Sequence, residues 1–231
     1  MKTLILVAHP EVANSPTQQF LKASLPPTGA IQWHDITAVA GVNGHFQASA
    51  ELDLVKQAQR IVFQFPFYWY SAPFILKQWQ DEVFTGEVAQ YGNLAGKELS
   101  VVVSLGQSLA TYQAGAQEHF AISELLRPYQ AFAEKLNWRY LPPLVITQFA
   151  YQTPAERQQL LVTYQQRLTL AQPASFAQRG QWLLAQLAQL QPATTAQRQQ
   201  LTLIREQLEA GVAEYQTLQE QLREIRSGEQ A

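Results

Sequence analysis

Arg60-Ile61-Val62-Phe63-Gln64-Phe65-Pro66-Phe67-Tyr68-Trp69-Tyr70-Ser71-Ala72-Pro73 is the stretch that orders the rest of the chain. Its first part, Arg60–Phe65, is apolar with almost no polar alternation, the pattern of a strand covered on both faces. Pro66 and Pro73 then bracket a string of aromatics in an irregular loop, and an amphipathic helix follows over Phe74–Phe84. Strand, loop and helix make half of a βαβ unit, so the aromatics stand at the carboxyl end of a strand. Open α/β sheets bind ligands just beyond those ends. So much aromatic surface there has little structural use, and it suits a flat, apolar ligand.

Working outward, four more segments read as buried strands: Thr3–Ala8, Ala30–Ile36, Leu99–Leu105 and Leu144–Phe149. Helical patterns fall between them over Pro16–Ala23, Ala50–Gln59 and Ala121–Leu136. This alternation predicts right-handed βαβ units and a parallel sheet. The expected class is α/β, a flavodoxin-like three-layer sandwich with five strands in the order 2-1-3-4-5. Thr153-Pro154-Ala155-Glu156 opens a last helix, to about Leu170, with a capping threonine, a first-turn proline and a capping-box glutamate.

Beyond Ser175 the composition shifts to Gln, Ala and Leu and offers no strand. Ser175 with Gln178, and Thr194 with Gln197, form capping-box patterns, and Pro192 separates two helices. The second helix carries Leu201, Ile204, Leu208, Gly211, Tyr215, Leu218, Leu222 and Ile225 at alternating steps of three and four. That is an a/d seam. It fits a helix lying on the parent domain, or a hairpin or coiled coil that meets a second copy or another protein. The predicted division is a ligand-binding domain over residues 1–172 and a helical extension over 173–231.

The 231 residues are 47% hydrophobic and only 15% charged, which is a globular composition. A net charge of −2 leaves no electrostatic footprint for nucleic acid. Zero cysteines exclude disulfides, thiolate metal sites and cysteine nucleophiles, and suit the cytoplasm. The apolar run Leu4–Ala8 is too short for a signal peptide, and no stretch approaches the roughly 18 apolar residues of a membrane span. His9, His34, His45 and His119 show no metal-ligand spacing.

Three strand ends carry candidate chemistry. After the first strand, Ser15 is placed as an N-cap with Pro16 at the first helical position. The backbone N–H groups of Thr17 and Gln18, with the Ser15 hydroxyl, would then suit a phosphate. Read alone, Ser15 serves equally well as a cap for its own helix only, and His9 beside it is as easily structural as catalytic. The third strand ends in the aromatic loop. After the fourth comes Ser104-Leu105-Gly106-Gln107-Ser108, where Gly106 allows close backbone approach. Phosphate cradle, aromatic wall and glycine turn together predict flavin mononucleotide (FMN). No G-x-G-x-x-G follows the first strand, which disfavours a dinucleotide.

These residues also resemble a family. His9-Pro10 followed by Ser15, then Pro66-x-x-Trp69-Tyr70-x-x-Pro73-x-x-Leu76-Lys77-x-Trp79-x-Asp81, is similar to the flavodoxin-like NAD(P)H:quinone oxidoreductases. That family includes the ancillary flavoproteins of glutathione-gated potassium efflux systems. Leu125-Leu126-Arg127-Pro128, Leu136-Asn137-Trp138 and Pro142-Pro143 extend the likeness. The resemblance implies FMN, with NADPH or NADH as donor and a quinone-like acceptor. It assigns His9, Ser15, Pro16, Thr17 and Gln18 to the FMN phosphate and ribityl chain. Pro66, Phe67, Tyr68, Trp69 and Tyr70 would meet the isoalloxazine edge, and Ser104, Leu105, Gly106 and Gln107 its other side. The family carries Thr-Thr-Gly-Gly where this chain has Ser104-Leu105-Gly106-Gln107. A homodimer is implied as well, and the extension has no counterpart in the family.

Hydride would pass from nicotinamide to flavin and on to the acceptor in a ping-pong cycle through one slot, walled by Trp69, Tyr70 and Tyr112. The alternative is a flavin-binding regulatory subunit of a membrane transport system with little turnover. A hydrolase reading of Gly106-Gln107-Ser108-Leu109-Ala110 fails, because the only later histidine is His119 and the last aspartate is Asp81.

Overall fold

The computed structural model describes residues 1–40, 44–86, 91 and 93–228. Its centre is β1 (Thr3–Val7), every residue of which is buried. Parallel pairing sets β1 between β2 (Ile31–Asp35) and β3 (Arg60–Pro66), with Val7 opposite both Asp35 and Gln64. β3 pairs in turn with β4 (Glu98–Leu105), Pro66 lying opposite Ser104. The sheet order is 2-1-3-4-5, the flavodoxin-like arrangement.

The fifth position differs from the single strand expected there. It holds two short strands, β5 (Arg139–Tyr140) beside the start of β4 and β6 (Leu144–Thr147) beside its end. Pro142 and Pro143 stand between them without N–H donors, so the ladder breaks and the sheet counts six strands among the described residues.

Alternation along β1 divides the core. Leu4 and Leu6 face one side, with Phe63 and Phe65, and Ile5 and Val7 face the other, with Val62 and Val102. The first side is covered by α2 (Ile36–Val39), α3 (Ala48–Gln57), α4 (Phe74–Val83), α5 (Ile122–Leu125) and α6 (Arg127–Lys135), which contribute Ile36, Val55, Leu76, Trp79, Ile122 and Ala133. The second is covered by α1 (Pro16–Ala23) and α7 (Pro154–Thr169), through Leu21, Leu160, Tyr164 and Leu168. The helix expected over Ala121–Leu136 is thus two helices. They meet at Leu126, where Pro128 in the first turn of α6 restarts the helix.

Trp79 is fully buried on α4, and its Nε1 donates to Glu51 of α3 at 2.8 Å. His34 Nε2 lies 2.9 Å from the same carboxylate. Burial alone would push the Glu51 carboxyl up, but these two hydrogen bonds hold it below its usual range.

The chain divides into two compact units, Met1–Thr169 and Leu170–Ala231. Of the predicted extension, residues 229–231 lie outside the described residues. The second unit contains α8 (Phe176–Gln189) and α9 (Thr195–Gly228). Ser175 caps α8 in a reciprocal box with Gln178. The two helices pack through Phe176 and Tyr215, whose ring centroids are 4.9 Å apart, and through Gly180 against Val212.

Candidate active site

The register of β1, β3 and β4 brings three loops to one edge of the sheet. Val7, Gln64 and Val102 lie in one row, and Ala8 N–H donates to the Gln64 carbonyl at 2.9 Å. His9 therefore leaves β1 beside the end of β3. Phe67 N–H donates to the Ser104 carbonyl at 2.9 Å, which ties the aromatic loop to the end of β4 just before Gly106.

At the first loop, Ser15 is the N-cap of α1 and Pro16 its first residue. The Ser15 Oγ accepts from the Gln18 N–H at 3.3 Å. That N–H is consequently taken up by the cap, contrary to the free donor expected from the sequence. Among the described residues no partner is found for the Thr17 N–H. The Gln18 side chain is buried and receives a 2.6 Å hydrogen bond from Gln64 Nε2, so it braces the loop from beneath. His9 Nδ1 accepts from the Glu11 N–H at 2.9 Å, so the proton of the neutral ring sits on Nε2, a donor. Burial depresses the His9 pKa against the raising influence of Asp35 and Glu11.

At the second loop, Trp69 and Tyr70 occupy the centre of a tight turn. Tyr68 and Ser71 exchange backbone hydrogen bonds of 2.9 and 3.0 Å across them. Both have positive φ, 47° and 64°. That geometry belongs to a type I′ turn, which favours Asn-Gly and strains L-residues. Trp69 is 94% exposed. Phe67 is edge-on to Tyr70 and to Tyr112, with centroids 6.5 and 6.1 Å away. Phe67, Trp69, Tyr70, Tyr112 and Glu118 line a cleft of about 180 Å³.

Glu118 is a site residue that sequence reading missed. It accepts a 2.9 Å hydrogen bond from the Tyr70 hydroxyl, and that bond raises the Tyr70 pKa. The loop after β4 folds back to bring it there, with Glu118 N–H donating to the Thr111 carbonyl at 3.0 Å. Nothing in the spacing marks Glu118, because its partner lies 48 positions away.

At the third loop a Cβ built on Gly106 would meet no atom within 4 Å. Leu105, by contrast, is part of the core, so a ligand there would meet only its backbone. Pro66 is likewise buried at the end of β3, whereas Ser104 is half-buried and Gln107 exposed.

A profile of the flavodoxin-like fold family matches residues 1–168. The chain belongs to that family. Among curated relatives, an uncharacterized NAD(P)H oxidoreductase, YrkL of Bacillus subtilis, is 41% identical over 62% of this chain and 83% of its own length. The glutathione-regulated potassium-efflux system ancillary protein KefG of Cronobacter sakazakii is 35% identical over 63% and 80%. Among solved structures, an NADPH-quinone reductase from P. pentosaceus superposes with a TM-score of 0.66 at 47% identity, covering 74% of this chain and 99% of that one. General stress protein 14 of Treponema denticola, solved in complex with FMN, gives 0.65 at 30% identity over 73% and 98%.

Proposed function

We propose that the chain is an FMN-dependent NAD(P)H oxidoreductase that reduces a quinone or similar electrophile. The observation that carries this reading is the convergence of the three loops at one sheet edge. The residues present fit the cofactor: an unpartnered Thr17 N–H, an imidazole Nε2–H, an aromatic wall and open space at Gly106. When bound, FMN supplies the redox chemistry, hydride from a reduced nicotinamide in and electrons to the acceptor out.

The Thr17 N–H, the Ser15 hydroxyl and His9 Nε2 would hold the phosphate, helped by the positive end of the α1 dipole. With its Nδ1 taken by the Glu11 N–H and its pKa lowered by burial, the neutral His9 ring would offer its Nε2–H without needing a proton from solvent. Phe67, Tyr68, Trp69 and Tyr70 would carry the edge of the flat ring, with the backbone of Ser104 to Gln107 on the other side. Trp69 and Tyr112 offer apolar faces for nicotinamide and then for quinone. One slot serving both in turn gives ping-pong kinetics. The first unit and a few residues after it, 1–172, would hold the cofactor. A homodimer in the cytoplasm completes the reading, and no helix among the described residues is long and apolar enough to cross a membrane.

A second reading, a flavin-binding regulator of a transport system, draws on the similarity to the efflux ancillary protein. One experiment separates the two. Purified protein should be yellow, should bleach when titrated anaerobically with NADPH or NADH, and should recover its colour on addition of a quinone. Colour that bleaches but catalyses no steady-state turnover with quinone selects the regulator. Colourless protein that takes up no FMN rejects both.

A further inference from the structure

We propose that the C-terminal hairpin is a self-association module, in which α9 pairs antiparallel with α9 of a second copy to form a four-helix bundle. The proposal is independent of the redox reading. α9 bears one wide apolar stripe with two margins. One, with Leu201, Leu208, Val212 and Tyr215, is half-buried or buried, and Gly180 and Phe176 of α8 pack against its Val212 and Tyr215. The other follows Ile204, Gly211, Leu218 and Ile225 at intervals of seven, with Leu222, seven residues after Tyr215, lying between the two. Ile204, Leu218 and Ile225 on it are 52%, 50% and 59% exposed. Within the hairpin α8 packs against the first margin only, whereas a helix in a four-helix bundle meets two neighbours.

Length supplies the geometry. α9 has 34 residues and α8 only 14, so at about 1.5 Å per residue α9 is far the longer. The start of α8 meets α9 at Tyr215, and α9 runs on past it with Leu222 and Ile225 on its surface. At the opposite end of the hairpin, Leu187, Leu190, Pro192, Leu201 and Ile204 surround an open apolar hollow of about 460 Å³. Antiparallel pairing that sets Ile204 against the second copy's Ile225 brings each overhanging end to the other copy's hollow. The same register sets Gly211 against Leu218, small against large. A parallel pair would face Gly211 with Gly211 and leave a gap.

The flanks of the free face name the occupant's chemistry. Gln200, Gln207 and Gln221 border it on one side, and Glu214 alone brings charge there. Neutral amide flanks raise little like-charge conflict between identical copies. They also lack the Lys/Arg border of a helix that lies on an anionic membrane.

The chain has no cysteine, so single thiols can report the pairing. Position 214 borders the free face near the two-fold axis, whereas position 213 points to the far side of α9. In the full-length protein, Glu214→Cys should form a covalent dimer with a short bismaleimide, and Ala213→Cys should not. Adding Leu218→Glu and Ile225→Glu to the Glu214→Cys chain should abolish that product while flavin content stays unchanged. Both leucine and isoleucine are exposed, so the helical circular dichroism should be retained. No dimer from Glu214→Cys, equal dimer from both thiols, or a dimer that survives the glutamates would overturn the proposal.

Discussion

The Tyr164 hydroxyl donates a 2.7 Å hydrogen bond to Gln64 Oε1, joining α7 to the middle of the sheet. Gln64 passes the connection on, since its Nε2 donates to Gln18 Oε1 beneath the first turn of α1. All three side chains are buried, so each depends on the next for satisfaction. Tyr164→Phe leaves Gln64 Oε1 buried without its donor, which should cost about 1–3 kcal/mol. We expect a lower urea midpoint at unchanged slope, together with faster release of FMN in a stopped-flow displacement. Unchanged release would separate the network from the ligand loop.

The turn at Trp69 and Tyr70 holds stability and function in opposition. Each positive φ costs an L-residue about 1–2 kcal/mol. Replacing the pair with Asn-Gly should therefore raise the melting temperature by a few degrees. The same double variant should lose most NAD(P)H oxidation, having lost the aromatic faces of the cleft. A variant both more stable and fully active would remove these side chains from the mechanism.

Ser15→Asp puts a carboxylate where the phosphate should lie. Aspartate caps a helix as well as serine does, so folding should be little affected. FMN affinity should fall by about 10- to 100-fold, the worth of a lost hydrogen bond and a charge repulsion of 1.5–3 kcal/mol. Fluorescence titration of the apoprotein reads this directly, and parental affinity would move the phosphate elsewhere.

Acid should destabilise the first unit through Glu51. Its folded pKa is depressed, so its contribution is present above the ordinary carboxylate pKa of 4.5 and is lost as pH falls through the folded value. Glu82 adds to the same limb. It is held at about 2 by the Phe46 N–H first and then by Gln78 and His45, against a small opposing effect of burial. Urea midpoints from pH 6 to pH 3 should decline steeply in the parent and less steeply in Glu51→Gln. The variant should also be weaker at neutral pH, where the paired carboxylate is worth most.

Gly180→Leu tests the close approach inside the hairpin. A Cβ there would overlap the Val212 side chain, whose branching at Cβ leaves it little room to turn. Overpacking should cost about 1–3 kcal/mol, lowering the helical melt of the second unit. FMN content should stay at the parental level, because every candidate site residue, Glu118 included, lies in the first unit.

The order of the sheet was legible because β1, β3 and β4 are buried on both faces and announce themselves as apolar runs bounded by turns. Capping chemistry was equally plain. Thr153 and Glu156 exchange the hydrogen bonds their spacing predicts, and so do Thr194 and Gln197. The division of the fifth strand was harder to see, since Arg139–Tyr140 is too short to show any period. Side-chain direction was the main loss at the site. Leu105 and Gln18 stand in the loops that spacing pointed to, but strand alternation and a buried amide pair turn both inward. Glu118 could not be found at all, because only tertiary folding of the loop after β4 brings it to Tyr70.

The two prolines that divide the fifth strand stand at a margin of the sheet. An unbroken strand there would offer a continuous row of N–H and C=O groups to any extended segment of another chain. Pro142 and Pro143 interrupt that row, which guards the protein against strand-by-strand aggregation where its sheet would otherwise be most adhesive.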